Sequence, residues 1–360
     1  MPELEAPAEW AKIGRAFAMQ EQSCLRLDSP FTARLCRLFS LRVPSELRIA
    51  ERLANWPGDA TYLTDAVPLR MTGALHALVI EGLDAKLTGF YPPYEAPADD
   101  DRLWREIDRA LSDHADFVLD RLESPPQTNE VRRSVAILPG LAVIAERFGL
   151  PLNLLEVGAS GGLNLVCDRY AYTLGGRSYG EASSPVKLAP DWEGPPPPAV
   201  EPRVAARAGC DLRPFDLRRD ADRKRLLSYI WADQPERIER TRAAMEIAAE
   251  HAPVIQLADA ISWLDQRLAA RPEGLATVLF HSIAWQYFPA EAQERGARLM
   301  EDAGREATSG KPLAWLAMEA DPSKVGAALT LRTWPGDGTD TGPIELARVD
   351  FHGRWVRWSG

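Results

Sequence analysis

The residues whose types and spacing could do chemistry lie in one stretch, from Leu152 to Asp168. Leu152 to Val157 is a short apolar run that reads as a strand, entered at Pro151 and left at Gly158. From Gly162 onward, Leu163, Leu165 and Val166 begin a helical pattern. Between the two stand only small residues, Gly158-Ala159-Ser160-Gly161-Gly162. A strand that turns sharply into a helix aims free backbone N–H groups and the positive end of the helix dipole at whatever occupies the turn. Small residues let a ligand touch that backbone. Glu156, at the strand's end, can accept hydrogen bonds from a ligand's amine or hydroxyls. Read literally, the turn is also Gly-x-Ser-x-Gly, the elbow that presents a nucleophilic serine, here Ser160. A plain strand–turn–helix junction without ligand is the third reading, because a glycine-rich turn alone is a weak signal.

The elements that must position this turn follow in order. Residues 1–150 read as helical, with no good strand. Asp99-Asp100-Asp101 opens one long helix whose apolar face is Leu103, Ile107, Leu111, Phe117, Val118 and Leu122. Gln127-Thr128-Asn129-Glu130-Val131-Arg132-Arg133 leads into a further apolar helix. There Thr128 or Asn129 is a good N-cap and Glu130 falls in the first turn, while Pro139-Gly140 can kink or split the helix.

From residue 151 strands and helices alternate. Strands are expected at 203–210, ending at Asp211, at 254–260, at 276–280, delivering His281-Ser282, and at 312–318, ending at Glu319. Helices are expected at 220–230, 235–250, 261–268 and 289–303, and strands again at 329–333, 344–350 and 354–358. An insertion at about 170–198 carries a hairpin with a Gly175-Gly176 turn and four consecutive prolines, Pro195 to Pro198, that suit a stiff exposed connector. The expectation is α/β: a Rossmann-like methyltransferase sheet, mostly parallel with an antiparallel C-terminal hairpin, in residues 151–360, and an α-helical N-terminal domain in residues 1–150.

Order along the chain weighs the two chemistries. A nucleophile elbow needs earlier strands to complete its oxyanion hole, and everything upstream here reads as helix. A cofactor turn should follow the first strand of its sheet, with acids at the ends of the next two, and Asp211 and Asp259 stand there. Acid-x-Gly-x-Ser-x-Gly at 156–162 looks like the first motif of class I S-adenosylmethionine-dependent methyltransferases, with Ser160 where a glycine usually stands. The blocks Gln127-Thr-Asn-Glu, Leu155-Glu-Val-Gly-Ala-Ser-Gly-Gly-Leu-Asn-Leu, Cys167-Asp-Arg-Tyr-Ala-Tyr, Gly209-Cys-Asp-Leu-Arg-Pro-Phe-Asp-Leu, Trp231-Ala-Asp-Gln-Pro-Glu-Arg and Phe280-His-Ser resemble an uncharacterised bacterial family, domain of unknown function 2332. That resemblance implies a methyltransferase-like C-terminal part and S-adenosylmethionine as cofactor, but no established activity.

Roles follow as expectations. Cofactor contacts are expected from Glu156, Gly158, Ala159, Ser160, Gly162, Asn164, Asp211, Asp259 and Ala260. Asp211 would hold ribose hydroxyls and Asp259-Ala260 would border the adenine; their structural alternatives are a turn cap and a helix N-cap. Methyl transfer needs positioning, and a base where the nucleophile is protonated, so His281, Glu130 and Tyr287 are the chemical candidates. Gln127, Asn129, Arg133 and Trp285 are the candidates for substrate contacts. Asp233, Gln234, Arg237 and Arg240 read as a solvated face. Two other classes stay open: a nucleoside- or metabolite-binding protein without catalysis, and a serine hydrolase using Ser160.

Composition narrows the partners. A net charge of −10 argues against a nucleic-acid backbone. No apolar run reaches membrane-spanning length, and Met-Pro-Glu-Leu-Glu lacks the regions of a signal peptide. The four cysteines, Cys24, Cys36, Cys167 and Cys210, show no metal-ligand spacing and fit reduced thiols. The reading is a cytoplasmic protein without a metal site, acting on a small molecule.

Overall fold

A computed structural model describes residues 10–360; the expectation placed on the first five residues lies outside them. The chain forms two compact units, residues 1–128 with 220–239, and residues 129–219 with 240–360. The break therefore falls at Asn129 rather than near residue 150, and the segment at 220–239 belongs with the helical unit.

The helical unit contains α1 (Ala11–Arg26), α2 (Pro30–Leu41), α3 (Leu47–Ala54), α4 (Val67–Ile80), α5 (Ala85–Thr88), α6 (Asp100–Asp113) and α7 (Ala115–Leu122). α4 is buried along nearly its whole length and is the axis of the core. The single long helix expected after Asp99 is two, because His114 leaves helical geometry at φ −123°. Asp233 does not lie on a solvated face. Its carboxylate accepts from Ser29 Oγ, the Phe31 N–H and Thr32 Oγ1, closing the start of α2 from about 200 residues away. Gln234 likewise donates to the Leu27 carbonyl.

The second unit is mixed α/β, with a mostly parallel central sheet and antiparallel C-terminal strands. Its elements are α8 (Ser134–Phe148), β1 (Leu152–Val157), β2 (Ala171–Leu174), β3 (Arg177–Gly180), β4 (Lys187–Leu188), β5 (Asp191–Glu193) and β6 (Val204–Asp211). Next come α9 (Asp220–Ser228), in the helical unit, and α10 (Pro235–His251), which crosses the division. Then follow β7 (Gln256–Leu257), α11 (Ala260–Ala269), β8 (Ala276–Ser282), α12 (Ala290–Arg305), β9 (Leu313–Ala320), β10 (Ala327–Trp334), β11 (Ile344–Val349) and β12 (Trp355–Trp358). The sheet order is β5-β12-β11-β10-β9-β8-β1-β6-β7. β7, β6, β1, β8 and β9 run parallel, and β10, β11 and β12 alternate in direction.

Three local expectations are corrected. α8 does not split at Pro139 but runs on from Ser134 to Phe148, and the lack of a side chain at Gly140 lets it approach β9. A Cβ there would stand 2.6 Å from Leu316 Cδ1. The strand expected over 254–260 shrinks to two exposed residues at the sheet edge. The hairpin after β1 forms as expected with β4 alongside, but the insertion also returns β5 to pair with β12 at the far edge. No described helix is long and apolar enough to cross a membrane, and all four cysteines are free and buried.

Candidate functional site

The strand order makes the carboxyl ends of β1 and β8 the centre of the site. Connections leave β1 toward β6 on one side, while the chain later returns to β8 on the other, and such reversals open a crevice in parallel sheets. Gly158 begins the turn at φ +70°, and a Cβ on it would stand 2.7 Å from the Ala284 Cβ. Any larger residue would drive the turn away from the loop after β8.

The turn does not offer free N–H groups. Ala159 donates to the Cys210 carbonyl at 3.0 Å, and Gly162 to the Ala159 carbonyl at 2.7 Å. Ser160 donates to Asp211 Oδ2 at 2.9 Å. Gly161 and Leu163 both donate to Asn129 Oδ1, at 3.2 and 3.1 Å. Nor does a long helix follow: Asn164–Arg169 is a 3-10 helix. The backbone cradle with a helix dipole behind it, expected from the sequence, is thus replaced by a self-satisfied turn. A ligand here must bind through side chains.

Three side chains are available for that. Glu156, Ser160 and Asn164 are buried, with relative exposures of 2%, 5% and 1%. Glu156 Oε2, Ser160 Oγ and Asn164 Oδ1 have no hydrogen-bond partner within the protein. Buried polar atoms without partners are costly, about 1–3 kcal/mol each, so three within nine residues mark a place built for something else to touch. Ser160 also holds a left-handed φ of +53°. The sheet-bearing unit has three non-glycine residues in that region, Asn129, Ser160 and Ile283, and all three lie at or bonded to this edge. Backbone strain of this kind concentrates at ligand sites.

Burial pushes the Glu156 carboxyl well above the usual range; the Asp211 charge adds to this and Arg133 opposes it. A carboxyl raised in the folded state gives stability that is complete below its ordinary value of 4.5 and is lost as pH rises toward the folded value. Glu156→Gln should therefore gain stability over the parent as pH rises from 4.5 to 8, read as the difference in Tm across that series. A difference that stays flat would show that Glu156 ionises freely.

His281, at the end of β8, is 2% exposed. Its Nδ1 lies 2.6 Å from Glu319 Oε1, and its Nε2 lies 2.9 Å from the Trp315 Nε1. An indole N–H can only donate, so Nε2 accepts and the ring proton sits on Nδ1, given to Glu319. Both nitrogens are consumed and the ring stacks on Trp285, centroids 5.0 Å apart. Glu319 Oε1 also accepts from the Ala284 and Trp285 N–H groups, each at 3.0 Å. Burial pushes its carboxyl up, but the His281 hydrogen bond and attraction, with those two N–H groups, outweigh this and hold it below the usual range.

The other sequence-derived residues fall into place around this pair of loops. Asn129 anchors the turn. Glu130, not Thr128 or Asn129, is the N-cap, accepting from Arg132 at the start of a 3-10 helix, Val131–Arg133. Glu130 is 3% exposed and Arg240 lies 3.9 Å from it. Arg133 donates to the Ser282 and Phe351 carbonyls. Asp211 also receives the Arg213 N–H, and Asp259 caps α11 through the Ser262 N–H beside Ala260, the helix's first residue. Trp285 is buried and packs edge-on against the half-buried Trp315, while Tyr287 is 65% exposed. Gln127 belongs to the helical unit. Sequence reasoning missed Glu319 and Trp315; the acid directly ending an apolar strand was the available signal.

The fold is a mixed α/β protein that carries three buried polar side chains with unpartnered atoms, Glu156, Ser160 and Asn164, at the carboxyl edge of its parallel strands. The chain belongs to the bacterial family described as an uncharacterized protein conserved in bacteria (DUF2332), whose model matches residues 14–358. Neither the curated proteins nor the solved structures contain a match to it.

Proposed function

We propose that the sheet-bearing unit binds S-adenosylmethionine and transfers its methyl group to a small or medium acceptor. The observation that carries this is the set of three buried, unpartnered polar atoms on Glu156, Ser160 and Asn164, directly after the first strand. The parallel strands, in the spatial order β7-β6-β1-β8-β9, fit the doubly wound arrangement of the Rossmann-like methyltransferase class. Glu156, whose carboxyl burial pushes toward the neutral form, can donate a hydrogen bond, and Ser160 and Asn164 take or give others, a set suited to hydroxyls and an amine. When bound, the cofactor supplies an electrophilic methyl on a positively charged sulfur. Asp211 and Asn129 shape the turn, and Gly158 keeps its backbone close to the loop at Ala284.

The second reading, a nucleoside- or metabolite-binding protein without catalysis, is favoured by one feature: His281 has no nitrogen left to take a proton. Methyl transfer, on the first reading, relies on positioning or on an acceptor already deprotonated. The serine-hydrolase reading lacks its base, because Ser160 Oγ bonds to no histidine.

Calorimetric titration with S-adenosylhomocysteine tests the proposal, with ATP as control. Binding of the first, weak or no binding of the second, and loss of at least about tenfold in affinity with Asn164→Leu are expected. Absence of heat and of any thermal shift in folded protein sinks it.

A further inference from the structure

A cavity with a volume of about 330 Å³, within the range of small-molecule sites, lies away from the glycine turn. It sits between α8, the β2–β3 hairpin, the proline connector and the start of β6. Val204 begins β6 and Asp211 ends it, so about 23 Å of strand separates this cavity from the turn. Leu138, Ala142, Leu174, Val200 and Val204 give it an apolar lining. The Tyr179 hydroxyl donates to the Pro197 carbonyl at 2.7 Å, tying hairpin to connector and fixing the walls.

The charges at its border are unevenly satisfied. Asp168 is fully engaged by Arg207, at 2.9 and 3.0 Å. That leaves Arg169 with only long contacts, 3.6 Å from its Nε to Asp168 and 3.9 Å to Glu181, and its buried Nε makes no hydrogen bond. Arg203 and Glu201 are exposed and make no side-chain hydrogen bond or ion pair among the described residues. Two arginines and two glutamates therefore border one chamber with an apolar wall, Glu181 being held by the Ser183 hydroxyl at 3.2 Å and the long contact to Arg169. A simple anion meets the glutamates and a simple cation meets the arginines; only a ligand with both charges satisfies all four.

We propose that this cavity binds a small zwitterion with an apolar body, of the apolar α-amino-acid class, with its carboxylate toward Arg203 and Arg169 and its ammonium toward Glu201 and Glu181. The insertion at 170–198 exists, on this assignment, to build that chamber.

The test is thermal shift and calorimetry on the full chain with phenylalanine, N-acetyl-phenylalanine and phenethylamine as probes. Phenylalanine should bind, and the two singly charged probes should bind at least about tenfold more weakly. Arg203→Ala and Glu201→Ala, at exposed unpaired positions that the fold does not use, should each weaken phenylalanine by about tenfold while leaving the melting temperature of the free protein unchanged. No response to phenylalanine at about 10 mM, equal binding of all three probes, or full binding by Arg203→Ala overturns the assignment.

Discussion

Glu319→Ala should cost about 4 kcal/mol of stability, or unfold the sheet-bearing unit outright. The carboxylate accepts the His281 Nδ1–H and the backbone N–H groups of Ala284, Trp285 and Gln286, and its removal takes that partner from all four. His281 then loses the contact that fixes its tautomer, and Trp285 loses the ring it stacks on in that orientation. Glu319→Gln keeps an oxygen facing the Ala284 and Trp285 N–H groups, so it should cost about 1–2 kcal/mol. The pH dependence has a defined sign. Because the folded carboxyl is held below its ordinary value of 4.5, the stability it gives is present above that value and is lost as pH falls below it. Urea unfolding of both variants at pH 7 and pH 4 measures this. An alanine variant within about 0.5 kcal/mol of the parent would show that the network is ornamental.

That network marks the limit of what the sequence discloses. β1 runs over the six residues its apolar pattern indicates, and β8 and β9 follow theirs closely, because strand periodicity and flanking glycine and proline are local signals. The hairpin at Gly175-Gly176 is legible for the same reason. The fate of the turn's N–H groups is not local. Asn129 stands 32 and 34 residues from the amides it accepts, and Asp211 stands 51 from Ser160. Spacing places both acids and amides near strand ends but gives no sign that they satisfy one another. The same blindness explains Asp233, read as a solvated charge and found capping a helix some 200 residues earlier. Asp259, by contrast, caps its own helix, and the pattern Asp-x-x-Ser made that alternative visible. His281 shows what residue type leaves out: a histidine at a strand's carboxyl end suggests a base, and only the fold reveals that Trp315 and Glu319 bond to its two nitrogens.

Asn129 carries the largest consequence for binding. Its Oδ1 holds the Gly161 and Leu163 N–H groups, and its own backbone takes a φ of +34° that asparagine tolerates better than most residues. Asn129→Ala removes the acceptor and keeps the strain, so a loss of about 3–4 kcal/mol is expected. Asn129→Gly removes the acceptor but relieves the strain, and about 2–3 kcal/mol should remain. The comparison separates the hydrogen bonds from the backbone term. Hydrogen exchange gives a readout that global stability does not: in Asn129→Gly the amides of Gly161 and Leu163 should exchange faster than in the parent by about tenfold or more, with the β1 amides unchanged. Because the turn sets where Ser160 and Asn164 stand, S-adenosylhomocysteine affinity should fall with it, in protein that is still folded. Wild-type exchange at those two amides in the glycine variant would mean that the turn holds itself and Asn129 is a passenger.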